Sequence, residues 1–229
     1  MEYPHNRPYT ADDLVRIITL LRDPVDGCPW DKVQTHTSIR MNFLEEAYEA
    51  VDALDLDDPV LMCEELGDVL MQVAFPTCME QETGRFTWEQ VCDGVCQKLI
   101  ERHPNIFGTQ PGYEGITDWD ALKNKEKGRR TLADDLESVP RAMPALMRAA
   151  KLQKRAARHG AALQGADAAA LADAAENLQT AQPASAQAEQ AVGELLFAAA
   201  NLARQAGVDP EQALQKANEA FCTAAGPVA

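Results

Sequence analysis

At 229 residues the chain can form one large domain or two small ones, and 46% hydrophobic with 25% charged residues is the balance of an ordinary soluble core. Its net charge of −15 argues against non-specific nucleic-acid binding, and the acidity is local: residues 1–130 hold 25 acids against 13 bases, residues 131–229 only 11 against 8. No apolar run reaches the roughly 18 residues of a membrane span and MEYPHNRPYT is no signal peptide, so no membrane association and a cytoplasmic location are expected.

Residues 1–9 are expected to fray. Thr10 or Asp12 can cap a first helix carrying Leu14, Ile17, Ile18 and Leu21. It ends at Arg22-Asp23-Pro24, where a Pro/Gly-containing loop begins and runs to His36. Trp30 in that loop either plugs the bundle end or lines a ligand pocket.

Thr37 or Ser38 starts a helix bearing Glu45-Glu46-x-x-Glu49. After the turn Asp55–Pro59, a second acidic helix runs from about Pro59 to Glu82 with Glu64-Glu65-x-x-Asp68. The apolar residues repeat at helical spacing: Ile39, Phe43, Ala47, Ala50, Val51 and Leu54, then Met62, Leu66, Val69, Leu70 and Val73. At about 100° per residue, Glu45, Glu46 and Glu49 share one sector beside the stripe, and Glu65, Asp68 and Gln72 share another. The short turn makes the helices antiparallel neighbours, so the carboxylates can face each other across a cleft. Such carboxylates repel one another unless a cation neutralises them, and hard oxygen ligands suit Mg²⁺ or Mn²⁺. A single EExxE is more often a solvated face; two on consecutive helices favour a metal site. Pro76 predicts a kink or local break.

Gly84 is a stop signal, and Thr87 caps a helix from Trp88 to Arg102 with Val91, Val95 and Leu99 inward. On it Lys98 and Arg102 project together at i,i+4, either as an anion site or as a solvated basic turn. A Gly/Pro-rich loop runs to Thr117, and a helix from Asp118 to Arg130 places Trp119 and Lys123 on one face. Residues 131–141 read as a polar linker. The Ala-rich remainder predicts helices over Met143–Arg158, Ala168–Leu178, Ala186–Gln205 and Pro210–Cys222. A faint repeat matches Gly67-Asp68-Val69-Leu70 to Gly193-Glu194-Leu195-Leu196, and Glu46-x-x-Glu49 to Asp173-x-x-Glu176. Six cysteines, at 28, 63, 78, 92, 96 and 222, show no CxxC or zinc spacing. Cys63, Cys92 and Cys96 lie in apolar patterns and are expected to be buried thiols.

The stretch Leu21-Arg22-Asp23-Pro24, Gly27-Cys28-Pro29-Trp30-Asp31 and Gln34-Thr35-His36, followed by EEAYE, EELGD, Thr83-Gly84-Arg85-Phe86 and RHPNIF, resembles the MazG nucleoside triphosphate pyrophosphohydrolases over nearly all of residues 1–130. Residues 138–149 and 214–218 resemble a second MazG repeat. The resemblance implies an all-α bundle of two tandem repeats, the first (1–130) catalytic and the second (131–229) degenerate and truncated. It implies a homodimer that binds nucleoside triphosphates and converts them to the monophosphate and pyrophosphate with Mg²⁺ (Mn²⁺ as a substitute), cleansing the nucleotide pool. It places Glu45 and Glu46 in catalysis, Glu46, Glu49, Glu65 and Asp68 on metal, and Lys98, Arg102, Trp119, Lys123 and Trp30 on substrate. The second repeat departs from the pattern, with Ala191 and Ala220 where the family has Glu and Lys, and without a closing Trp-x-x-x-Lys. No GxxxxGK[ST] occurs, which excludes a P-loop NTPase. A ferritin-like di-iron bundle needs ExxH motifs within helices, and Glu2-x-x-His5 is the sole example. A non-catalytic nucleotide-binding bundle is the remaining alternative.

Overall fold

The structure, a computed structural model, describes residues 3, 5, 7–108 and 119–226, among which there is no strand. Glu2, residues 109–118 and the side chain of Trp119 lie outside the described residues. The chain divides into two compact units, Met1–Ile116 and Thr117–Ala229.

The first unit holds α1 (Ala11–Leu21), α2 (His36–Leu56), α3 (Pro59–Glu82) and α4 (Trp88–Arg102). Each start is written in a local cap. Thr10 and Asp13 form a capping box on α1, and Thr87 and Gln90 form one on α4. Helix α2 starts slightly before the expected Thr37 or Ser38, because Thr35 and Ser38 close a box of their own: each side-chain oxygen accepts the other residue's backbone N–H. Asp57, in the left-handed conformation at φ 53°, reverses the chain, and the Asp58 carboxylate accepts from Val60 and Leu61 to start α3. The break expected at Pro76 does not occur, and α3 runs through it; the missing N–H costs one rung, and tertiary packing around buried Ala74, Phe75 and Cys78 holds the helix.

The core lies where α1, the start of α2, the second half of α3 and the start of α4 converge. It comprises Ile18, Ile39, Ala74, Phe75, Cys78, Met79 and Trp88. Small buried Ala50 and Ala53 on α2 serve the α2–α3 packing. Buried Arg22 ties the end of this bundle together. Its guanidinium donates to both oxygens of Glu82 (2.6 and 2.9 Å) and to the Asp31 carbonyl (2.7 Å), and lies 5.2 Å from the Phe75 ring centre. In the loop that follows, a Cβ on Gly27 would lie 2.4 Å from the Asp23 carbonyl oxygen, so only glycine fits there.

The apolar stripes are only partly covered. Val51 and Leu54 on α2 and Leu66 and Leu70 on α3 are exposed. On α4, Val95 and Leu99, expected to face inward, are 46% and 50% exposed. For the same reason Cys63 and Cys96 are exposed rather than buried, and Cys92 is half-buried; all six thiols are free.

The second unit holds α5 (Trp119–Glu126), α6 (Leu132–Glu137), α7 (Ala145–Arg158), α8 (Ala168–Thr180), α9 (Ala186–Gln205) and α10 (Pro210–Ala225). Helices α8 and α9 form a close hairpin on which α7 packs, with Ala174, Ala191, Ala198 and Ala200 almost fully buried between helices. The alanines let the helices approach, as their propensity lets them form. The expected linker 131–141 is instead a capped helical turn, α6. Its Asp135 is 1% exposed and pairs with Arg155 (3.0 Å) and His159 (3.2 Å) of α7. Arg155 also donates to the Asp135 carbonyl and to Ser138. No described helix is long and apolar enough to cross a membrane.

Candidate functional site

The antiparallel pairing of α2 and α3 brings Glu46, Glu49 and Glu65 together, with one carboxylate oxygen of each lying within 4.8 Å of the others. Glu46 and Glu49 stand one turn apart on α2, and Glu65 meets them from α3. Asp68, one turn beyond Glu65 and half-buried, adds its charge to the group. Glu46 and Glu65 both hold their protons above the usual carboxylate range. Partial desolvation is the first cause in each case. The neighbouring carboxylates follow, Asp68 and Glu49 acting on Glu46, and Glu49 and Asp68 on Glu65. Among the described residues, no basic side chain acts on either. Glu45 is exposed on α2 and stands outside the triad.

Gln72 donates to Glu46 Oε1 at 3.4 Å and is itself buried, so it fixes that carboxylate from the floor of the site. The helical wheel placed Gln72 in the acidic sector without giving it this task. Beside Gln72 a small apolar cavity is lined by Ile39, Met71, Phe75, Asn42, Asp31 and Trp30. Trp30, 57% exposed, therefore stands at a pocket instead of plugging the bundle. Asn42 went unnoticed in the sequence, because nothing local marks it; it sits one turn before Glu46 on α2, and the cavity it joins is built from four segments, α1 included.

Lys98 is exposed on α4, and Arg102 is half-buried in the last turn of that helix. Lys123 is exposed on α5, in the other unit, where Trp119 begins the helix. Four acidic positions are thus assembled at one place on α2 and α3.

Comparison with known proteins bears on this geometry. Residues 34–107 match the MazG nucleotide pyrophosphohydrolase domain. The chain is 41% identical over 219 residues to the nucleoside triphosphate pyrophosphohydrolase of Escherichia coli K12, spanning 92% of this chain and 83% of that one. The chain belongs to the MazG family. It is also 38% identical over 212 residues to the nucleoside triphosphate pyrophosphohydrolase/pyrophosphatase MazG of Thermotoga maritima, spanning 92% and 82% of the two chains. An uncharacterized 26.1 kDa protein of Streptomyces cacaoi is 33% identical over 214 residues, spanning 91% and 78%. The MazG match covers α2, α3 and α4, hence every acidic position of the cluster together with Lys98 and Arg102, and leaves Trp30, Trp119 and Lys123 outside it.

The donor set fits a hard divalent cation. Carboxylates that raise each other's pKa at the edge of a core are relieved by a positive charge among them, and all the donors are oxygens.

Proposed function

We propose that the chain hydrolyses nucleoside triphosphates between the α and β phosphates, giving the monophosphate and pyrophosphate, with Mg²⁺ as the resident ion and Mn²⁺ as a substitute. The observation that carries this reading is the Glu46–Glu49–Glu65 cluster with Asp68, in a chain of a family whose relatives are named nucleoside triphosphate pyrophosphohydrolases. Glu46, Glu49, Glu65 and Asp68 would hold the ion, which supplies charge neutralisation of the polyphosphate and a lowered pKa for bound water. Glu45, exposed beside this group, orients the attacking water and accepts its proton, with Glu46 held in place by Gln72. Lys98, Arg102 and Lys123 hold phosphate oxygens through charge-assisted hydrogen bonds. Trp30 and Trp119 offer flat faces for the nucleoside, which read stacking more than base identity. Catalysis belongs to residues 1–130, and residues 131–229 are a degenerate second repeat with a structural or regulatory role. The uncovered Val51, Leu54, Leu66, Leu70, Val95 and Leu99 support self-association as a homodimer. The role that follows is cleansing of the cytoplasmic nucleotide pool.

The test is product analysis with purified protein and a nucleoside triphosphate. Pyrophosphate is the expected first product with Mg²⁺, and none is expected in excess EDTA. Orthophosphate as first product, or full activity in EDTA, refutes the proposal.

A further inference from the structure

The second unit contains a cationic cleft that the hydrolytic reading does not use. Helix α7 carries Arg148, Lys151, Lys154, Arg155 and Arg158 and no acidic residue, in a chain whose net charge is −15. Arg155 is consumed by Asp135, within the unit's interior. Lys151 and Lys154 instead line a cleft of about 610 Å³ between α7, the end of α9 and the start of α10, together with Arg204 of α9. Met143, Met147 and Val208 form apolar parts of the same wall.

Arg204 is held in one orientation from behind. Its Nε donates to Asn201 Oδ1 at 2.9 Å, and Asn201, 2% exposed, donates through Nδ2 to the Ala166 carbonyl at 2.6 Å. A guanidinium fixed in this way loses little freedom when it meets a ligand, which is the condition for tight bidentate contact with a phosphate. The one carboxylate in the lining, Asp209, already accepts from the backbone of Glu211 and Gln212 as the cap of α10. Three cations therefore face the cleft against Asp209, with the nearby Glu211 carboxylate engaged by the Met147 backbone N–H at 3.2 Å. Like charges gathered at a concave surface repel one another, and a polyvalent anion relieves that repulsion. The apolar wall matches a ligand with an uncharged portion beside its phosphate.

We propose that this cleft is a second binding site, one for a phosphate-bearing ligand of nucleotide or pyrophosphate chemistry, and that it needs no metal ion. It is separate from the acidic positions of its own unit. Glu194 and Arg204 are ten residues apart on α9, about 15 Å along the helix. The Glu46 cluster belongs to the other unit. The proposal stands or falls independently of the hydrolytic reading.

Calorimetric titration of the full chain with AMP and, separately, with pyrophosphate, in EDTA, tests it. Binding to at least one probe is expected, weakening as salt is raised. Saturation by AMP alone identifies a nucleotide as the ligand, and saturation by pyrophosphate identifies the phosphates as sufficient. Lys151→Gln with Lys154→Gln, checked for helicity by circular dichroism, should raise Kd about ten-fold or more, as loss of charge-assisted contacts does. Arg204→Gln, made separately, should show a similar loss. Absence of binding to the wild-type chain, or wild-type affinity in both cleft variants, overturns the site.

Discussion

Replacing Glu46 with glutamine separates the two sides of the acidic cluster, because the change removes one charge and keeps the shape. The carboxylate oxygens of Glu46, Glu49 and Glu65 lie within 4.8 Å of one another. At that distance two unit charges repel by about 0.9 kcal/mol at the dielectric of water and about 3.5 kcal/mol at an effective value near 20. Glu49 is exposed, so the lower figure governs, and relief of two such pairs amounts to about 1–2 kcal/mol. The amide oxygen introduced by the substitution can still accept from Gln72. In EDTA at neutral pH, Glu46→Gln should therefore raise the melting temperature by roughly 2–8 °C, taking about 2–4 °C per kcal/mol for a chain of this size.

With metal that advantage is largely cancelled. An ion at a hundred times its Kd stabilises the wild type by about 2.7 kcal/mol, or about 5–11 °C. A ten-fold weaker site in the variant leaves about 1.4 kcal/mol of that, or roughly 3–6 °C. The pH dependence carries its own sign. Glu46 and Glu65 have raised pKa values, so between the ordinary glutamate value near 4.3 and the raised one the folded chain binds more protons than the unfolded chain. Stability without metal therefore falls as pH rises through that window. The advantage of Glu46→Gln should accordingly vanish near pH 4 and be full at neutral pH. Scanning calorimetry in EDTA and in excess MgCl₂, at both pH values, reads all of this. A variant less stable than wild type in EDTA at neutral pH, or one with an undiminished response to Mg²⁺, refutes the reasoning.

Three further outcomes are expected. Glu65→Ala with Asp68→Ala should abolish pyrophosphate release in the full-length chain, while Glu176→Ala with Glu194→Ala leaves kcat near wild type; release by the first double variant, confirmed folded, would place catalysis in the second half. Lys98→Ala should lower kcat/KM by ten-fold or more, since a lost charge-assisted contact costs about 1.5–3 kcal/mol, and Trp119→Ala should chiefly raise KM; steady-state kinetics decides both. Asp135→Asn leaves the buried Arg155 guanidinium without its counter-charge and should destabilise by about 3–5 kcal/mol in urea denaturation, with an unchanged midpoint refuting a structural role for that pair.

Helix ends in this chain were legible where the cap is local. Asp58-Pro59 and Thr87 mark the starts of α3 and α4 because a side chain two or three residues away decides them. Helix α6 was not legible, since Leu132–Glu137 reads as polar linker until Arg155 and His159, some twenty residues on, neutralise Asp135. The meeting of Glu46 and Glu49 with Glu65 followed from i,i+3 spacing and a short turn, both local quantities. The cavity beside it did not, because Trp30, Asn42 and Gln72 come from three separate segments. Periodicity correctly told which apolar residues share a face of α4. It could not tell that Val95, Cys96 and Leu99 stay exposed, because coverage of a face is a property of the partner.

The distribution of countercharge along α3 shows why the cluster invites an external cation. This helix carries Glu64, Glu65, Asp68, Glu80 and Glu82 and no basic residue. At its C-terminal end the protein supplies the cations itself: Arg22 grips Glu82, and Arg85 and His36 both contact buried Glu80, at 2.6 and 2.7 Å. Arg22, His36 and Arg85 all belong to the stretches that carry the family resemblance, and here they hold the bundle end. A carboxylate as buried as Glu80 needs such partners, because an unpaired buried charge is costly. At the other end Glu65 faces Glu46 and Glu49, and among the described residues no Arg, Lys or His acts on Glu46 or Glu65. Within the same helix, then, one acidic end is neutralised by side chains and the other is left paired only with acids. Evenly solvated surface carboxylates would show neither the desolvation nor the mutual pKa elevation seen at Glu46 and Glu65. That asymmetry, more than the count of acidic residues, supports placing the metal on α2 and α3 at Glu46, Glu49, Glu65 and Asp68.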